Sequence, residues 1–303
     1  MYRSEWIRAS GNRVRGVDRV AVVTGAGRGF GREIARRLAG RGYTVLASDV
    51  DGDAAQQTAE AIGGKAFSMA LDVRDPDAHR AAAAAASEQG RLAVWVNNAG
   101  VLRTDKTWEH RDDEVQLSVE TNVLGVMYGA RAAVDAMRAG AAGDEHIINM
   151  ASLSSFGPVP GLAVYGATKH AVLGFTSSLQ GDLQQAGIPI RMHALCPDGA
   201  DTAMVREHDS DEDAAIIWSA PRLLSAGEVA DAVVGLLDSK RIVQSLPGRR
   251  GALARVSGLA PRAGLMLTGA LRRLGERKRE ADLAERAQTG ATAQDTDKEA
   301  VRQ

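Results

Sequence analysis

The chain has 303 residues, 45% of them hydrophobic and 25% charged, which is enough apolar material for one large core. Its net charge of −1 gives no reason to expect nucleic acid as a partner, and its one cysteine, Cys196, excludes an internal disulfide framework and fits a reducing compartment. Residues 1–18 carry charges throughout, unlike a secretory signal, and no apolar run reaches the roughly 18 residues that span a bilayer.

RVAVVT at 19–24 is a β-branched run that meets glycine at once, the pattern of a short buried strand. Residues 29–41 follow with Ile34, Ala35 and Leu38 at helical spacing. A second strand, YTVLASD, leads into a helix over 51–64 that closes on Gly63 and Gly64. AFSMALDV and LAVWVNNAG are further strands, and between them Asp75 caps and Pro76 opens a helix with a run of six alanines. EHIINMAS and IPIRMHALCP supply two more strands, each after a long helical stretch. Strands alternating with helices of this length predict parallel βαβ units in one α/β domain, a doubly wound parallel sheet over 18–245 with helices on both faces.

The flanks differ in character. The arm 1–17 is polar and basic and is expected to be flexible. Residues 246–287 form a basic amphipathic extension; eight arginines, one lysine and one acid fall within 246–279. If 263–274 is helical, Leu267, Leu271 and Leu274 share a face opposite Arg272 and Arg273. Such a segment either covers the substrate cleft or a neighbouring subunit, or makes weak contact with an anionic membrane surface. Residues 288–303 are polar without apolar periodicity and are expected to be disordered.

TGAGRGFG, Thr24 to Gly31, lies between strand and helix, where close backbone approach and free helix N–H groups suit a pyrophosphate. It fits T-G-x-x-x-G-x-G through Gly25, Gly29 and Gly31, with Arg28 and Phe30 between them, and not G-x-G-x-x-G. Eighteen residues beyond Gly31 the second strand ends at Asp49, an acid placed to bond adenosine ribose hydroxyls and repel a 2′-phosphate. Arg28 pulls towards NADP, but an arginine can swing into solvent, so NAD is the expected cofactor. The plainer role for Asp49 is a helix cap, for which Asp51 competes.

With these motifs in register, the sequence resembles the short-chain dehydrogenase/reductase family over about residues 18–245. TGAGRGFG is followed by LDV at 71–73, NNAG at 97–100, Asn122 in ETNVLG, Ser152, and YGATK at 165–169. The resemblance implies a Rossmann fold, a catalytic tetrad of Asn122, Ser152, Tyr165 and Lys169, and adenine contacts from Asp72 and Val73. It implies that Asn98, Ala99 and Gly100 line the cofactor cleft, that Lys169 bonds the nicotinamide ribose, and that Asn122 holds a water. It also implies a small-molecule alcohol or ketone substrate and a homodimer or homotetramer; no metal site is expected, and a cytoplasmic location, with membrane contact through the tail as a variant, is anticipated. In CPDGADT, Pro197 and Thr202 keep the family's separation while Asp198 stands where glycine is usual, leaving Gly199 to take over the turn.

Physical chemistry says why the tetrad suits the task. A free tyrosine has a pKa of about 10, and a lysine at i+4 on the same helix face favours the phenolate. Ser152 would hold the substrate oxygen. REHDSDEDAAIIWSA at 206–220 is either an apolar lid, with Ile216, Ile217 and Trp218 inward and the acids in water, or a solvated charge run. His193 and Cys196 read as strand residues. The expected activity is interconversion of an apolar secondary alcohol and its ketone by hydride transfer, against a rival reading as a dinucleotide-binding sensor without turnover.

Overall fold

The computed structural model describes residues 18–300, with side chains to Arg286. The arm 1–17, residues 301–303 and the side chains of the tail from 287 onward lie outside the described residues. In chain order the elements are β1 (Arg19–Thr24), α1 (Gly29–Gly40), β2 (Thr44–Asp49), α2 (Gly52–Ile62), β3 (Ala66–Ala70) and α3 (Pro76–Gln89). Next come β4 (Arg91–Asn97), α4 (Asp112–Val119), a wide π-turn (Glu120–Leu124), α5 (Gly125–Met137), β5 (Glu145–Met150) and α6 (Ala163–Gln185). The chain continues through β6 (Ile190–Pro197), α7 (Ala203–Arg206), a 3₁₀ segment (Glu212–Ser219), α8 (Ala226–Leu236), β7 (Val243–Leu246), α9 (Gly248–Leu259) and α10 (Pro261–Ala300).

Seven parallel strands lie in the order β3-β2-β1-β4-β5-β6-β7, a doubly wound sheet whose order reverses at β1 and β4. Because both faces are covered, the inner strands read as continuous apolar runs. Ala21, Val23, Val45 and Val96 pack with Ile34 and Leu38 of α1 and Val229, Val233 and Leu236 of α8. Val20, Val22, Leu46, Trp95 and Ile147 face the other way, against Ala82, Ala83 and Ala86 of α3, Ala130 and Ala133 of α5, and Leu183 of α6. The alanine run lets α3 sit close beside α5.

Several polar groups inside this layer are paired across elements. Trp95 donates to Asn97 at 2.7 Å, Asn97 to Asn149 at 2.8 Å, and Asn149 to Thr176 at 2.9 Å, tying β4, β5 and α6 together. His146 and His193, on neighbouring strands, stack with ring centroids 5.2 Å apart and share a 2.9 Å hydrogen bond. Burial is the main cause lowering both of their pKa values, that of His146 to about 4.

The extension packs onto the C-terminal edge of the strands. α10 runs along Glu212–Ser219, and α9 lies against β7 and the turn Leu153–Ser155. Arg272 reaches Asp213 at 3.1 Å, Lys278 donates to the Ala220 carbonyl at 2.6 Å, and the Arg255 guanidinium sits 4.3 Å over the Phe156 ring. Among the described residues no helix is long and apolar enough to cross a membrane.

Candidate active site

The glycine loop is fixed by the strand beside it. Asn98 Nδ2 donates to the Thr24 and Gly25 carbonyls, both at 2.9 Å, and Thr24 Oγ1 accepts from the Asn98 and Ala99 N–H groups. Gly25 has φ 63°, and a Cβ at Gly31 would lie 2.0 Å from the Gly25 carbonyl oxygen, so neither position admits a side chain. α1 begins with no side-chain cap and no acid in its first turn, which leaves its N-terminal N–H groups open to an anion.

Asp49 ends β2 and braces this loop. Its Oδ2 accepts from Gly27 N at 2.8 Å and its Oδ1 from Asp51 N at 3.1 Å. The cap of α2 falls to Asp51, which accepts from Ala54 N at 3.0 Å. Arg28 is drawn outward to Glu207 at 2.9 Å, with both side chains more than half exposed. Asp72 pairs with Arg74, which holds its carboxyl below the usual carboxylate range. The Val73 carbonyl faces His79 Nε2 at 2.9 Å.

A groove of about 360 Å³ connects these groups, lined among others by Gly25, Arg28, Gly29, Phe30, Asp49, Asp72, Val73, Asn98, Ala99, Gly100 and Lys169. A second cavity of about 190 Å³ is predominantly apolar, with Leu153, Val159, Leu162, Ile216, Ile217 and Leu271 in its walls and Ser152 at its edge. Phe30, Ala151, Tyr165, Thr202 and Met204 border both, so Tyr165 stands where the two spaces meet.

The four tetrad residues come from three parts of the fold. Ser152 follows β5 and caps the turn Leu153–Ser155, accepting from Ser154 N at 3.2 Å. Tyr165 and Lys169 project from α6, with Lys169 Nζ 5.6 Å from the Tyr165 ring centroid. Asn122 sits in the π-turn, a feature often found at functional sites. Its Nδ2 donates to the Val101 carbonyl at 2.9 Å and to Thr168 Oγ1 at 3.2 Å, while its Oδ1 accepts from Val101 N at 2.8 Å. Both of its side-chain N–H groups are therefore used inside the protein, and the carboxamide has none to give to a water.

The electrostatics also differ from the simple lysine–tyrosine picture. Although Tyr165 keeps some surface open to the cavities, burial pushes its hydroxyl up to about 12, with only the Ser152 hydrogen bond opposing. Burial lowers Lys169 to about 8, and its ammonium donates to the Met150 carbonyl at 2.8 Å. Burial is thus the dominant influence on the Tyr165 hydroxyl, while the Lys169 ammonium lies 5.6 Å from its ring centroid. Cys196, also buried, is pushed up to about 12 and is an inert thiol.

After β6, Asp198 Oδ1 accepts from Gly199 N at 2.9 Å while Oδ2 pairs with Arg250 of α9. Arg250 also donates to Ser219 Oγ at 2.8 Å. Gly199 is required by crowding rather than by a left-handed turn: a Cβ there would lie 2.5 Å from the Ile217 carbonyl. Pro197 and Gly199 border the apolar cavity, and Thr202 borders both spaces.

The 206–220 segment corrects one expectation. Ile216 and Ile217 do line the cavity, but Trp218 is buried beside it and Asp213 is buried too, paired with Lys106 and Arg272 rather than facing water. Asp105, Asp211 and Asp213 bring carboxylate oxygens within 4.8 Å of one another. That charge is already answered in part by Lys106, Arg272 and the Asp213 N–H that Asp211 accepts. Sequence reasoning missed the cavity residues of the extension: Arg250, Leu253, Ala254, Ser257 and Thr268. The only signal for them was the leucine spacing of 267 and 271.

The chain belongs to the short-chain dehydrogenase family, whose profile matches residues 19–213. It is 34% identical over 192 to 199 residues to several relatives, among them a 3β-hydroxysteroid dehydrogenase of Mediterraneibacter gnavus, where 64% of this chain and 70% of the relative align over 199 residues. A 3-oxoacyl-[acyl-carrier-protein] reductase of Escherichia coli is 33% identical over 221 residues, spanning 72% of this chain and 89% of that one. Among solved structures, a short chain dehydrogenase/reductase from Burkholderia phymatum in complex with NAD superposes with a TM-score of 0.71 at 27% identity, covering 78% of this chain and 92% of its own.

Proposed function

We propose that this chain is an NAD(H)-dependent dehydrogenase that interconverts an apolar secondary alcohol and its ketone, with Tyr165 as general acid and base. The observation that carries the reading is the placement of Tyr165 at the junction of the glycine-loop groove and the apolar cavity. The residues present fit a dinucleotide: a loop that excludes side chains, an uncapped helix N-terminus, and an acid at the end of β2. Gly25, Gly29 and Gly31 would admit the pyrophosphate, Asp49 the adenosine ribose, Asp72 and Val73 the adenine, and Lys169 the nicotinamide ribose. Asp49 favours NAD over NADP, because Arg28, the cation that could hold a 2′-phosphate, is paired with Glu207.

When bound, the nicotinamide accepts or donates the hydride. Tyr165 takes the hydroxyl proton of the alcohol, or returns it to the ketone, while Ser152 holds the same oxygen and stabilises its developing charge. With one N–H given to Met150, Lys169 has two left for the ribose and for the field at Tyr165. Asn122 is a positioning residue: by bonding both sides of Val101 it sets the groove wall at Gly100, whose added Cβ would lie 3.1 Å from Asn122 Oδ1 and 3.7 Å from Lys169 Nζ. The cavity walls favour a bulky apolar substrate. The protein acts in the cytoplasm as a homodimer or homotetramer.

The test is nicotinamide absorbance across a panel of hydrophobic alcohols and ketones with NAD(H) and NADP(H), run beside Tyr165→Phe. Turnover with NAD(H) that vanishes in the variant supports the reading. Tight NADH binding with turnover on no member of a wide panel moves the assignment to a dinucleotide sensor.

A further inference from the structure

The inner side of the α9–α10 pair lines the apolar cavity; its outer side is also chemically marked. Nine large hydrophobic residues are exposed among the described residues, and six of them fall between 253 and 274: Leu253, Val256, Leu259, Leu265, Met266 and Leu274. Leu259, at the tip of the hairpin, is 86% exposed and Met266 79%. Leu253, Val256 and Leu259 recur every three residues along α9, which places them on one side. The two helices lie against each other, so their outer faces form one surface.

Exposed cations lie along the same two helices. Arg249, Arg262, Arg273 and Arg277 are all exposed, and none forms an ion pair among the described residues. The arginines that hold the fold are others: Arg250 on Asp198, Arg272 on Asp213, and Arg255 over Phe156. The chain as a whole carries a net charge of −1, so this concentration of unpaired cations is local.

We propose that the outer face of the α9–α10 hairpin docks on an anionic lipid bilayer, with Leu259, Met266 and Val256 in the acyl–headgroup boundary and the four arginines on the lipid phosphates. Exposed apolar side chains on two packed helices, interspersed along them with arginines that have no acidic partner among the described residues, match that interface in both chemistry and charge. A protein partner would have to present an apolar patch bordered by acids, whereas a bilayer of anionic lipids supplies both everywhere. Docking has a consequence for the site: Leu253 is 42% exposed and also lines the apolar cavity, so it joins the lipid-facing surface to the substrate space. A membrane-dissolved alcohol or ketone would enter past it. This delivery step rests on the function proposed above; the docking itself does not.

The experiment is flotation of the full-length protein with vesicles of phosphatidylcholine, with and without about one-third phosphatidylglycerol, at low salt and at about half-molar salt. Neither substrate nor cofactor is present, so the result is independent of whether the catalytic assignment is right. Two variants are compared, Leu259→Ser/Met266→Ser and Arg249→Gln/Arg262→Gln/Arg273→Gln, with circular dichroism and thermal unfolding checking that each is folded. The wild type is expected to float with anionic vesicles at low salt. Each serine substitution should weaken partitioning about tenfold, and each arginine substitution about fivefold at low salt. High salt should remove the arginine contribution and leave the apolar one. Absence of flotation at low salt overturns the proposal, and so does flotation that both folded variants retain in full. A wild type that does not float but whose oligomer dissociates in the serine variant, read by light scattering, would overturn it in favour of a second copy of the chain on this face.

Discussion

Replacing Asp49 with asparagine tests the cofactor assignment at one atom. Its Oδ2 accepts the Gly27 N–H at 2.8 Å, and an amide oxygen can keep that bond, so Asp49→Asn removes the charge and keeps the loop contact while giving up the exposed bond from Asp51 N. Two unit charges about 4 Å apart interact by about 4 kcal/mol at an effective dielectric of about 20. Asp49 is only partly buried, so solvent screening reduces this to about 1.5–3 kcal/mol against a nearly doubly charged 2′-phosphate. The ratio of kcat/KM for NADP to that for NAD should therefore rise about 10- to 100-fold. Initial rates with one alcohol and both cofactors measure it; equilibrium fluorescence titration with NADH and NADPH reads the accompanying change in relative affinity before a substrate is known. A ratio that moves less than twofold, or a wild type that already prefers NADPH, would refute the reasoning and transfer control to Arg28.

Tyr165→Phe should lower kcat by about 10²- to 10⁴-fold while NADH affinity, followed by fluorescence, stays within about twofold. The stacked His146–His193 pair makes the fold sensitive to acid. The folded pKa of His146, about 4, lies below the ordinary 6.5, so its contribution is whole above pH 6.5 and is lost as pH falls from there towards 4. Urea unfolding should show about 3 kcal/mol of stability disappearing across that window, and His146→Gln should flatten the profile; a flat wild-type profile would exclude the mechanism. Arg250→Ala strands the Asp198 carboxylate, whose side chain is 10% exposed, and should cost about 1–3 kcal/mol. The double variant Asp198→Gly/Arg250→Ala should regain most of that loss, since neither charge then remains; an additive double variant would refute the coupling.

Much of the sheet could be read because buried strands in a doubly wound fold are unbroken apolar runs ending at glycine or acid. RVAVVT and its helix fall within a residue of the observed bounds. AFSMALDV was read too long: the strand stops at Ala70, and Asp72 turns into the groove with Arg74. β7 was not read at all, because VQSL is polar and half-buried on the sheet edge, and α8 also went unread although Ser225 and Glu228 form a capping box. The motif residues could be placed because their spacing is carried by strand ends and helix turns that come from local sequence. What they do to each other could not. Burial of Tyr165 and Lys169, occupation of the Asn122 carboxamide by Val101, and the pairing of Asp213 with Arg272 all depend on segments far away in the chain.

The family profile ends at residue 213, yet Ile216, Ile217, Arg250, Leu253, Leu267 and Leu271 of the apolar cavity all lie beyond it. The cavity is thus walled from two directions: Leu102, Leu153, Val159 and Leu162 come from within the profile, and the residues just named come from the stretch after it. Drift in the later stretch can reshape that part of the cavity without touching Asn122, Ser152, Tyr165 or Lys169, all of which lie within the profile. Chains that share the first 200 or so residues can accordingly differ in one part of this wall, and an exchange of the segment from about residue 204 onward between two of them would change that part while leaving Leu102, Leu153, Val159 and Leu162 in place.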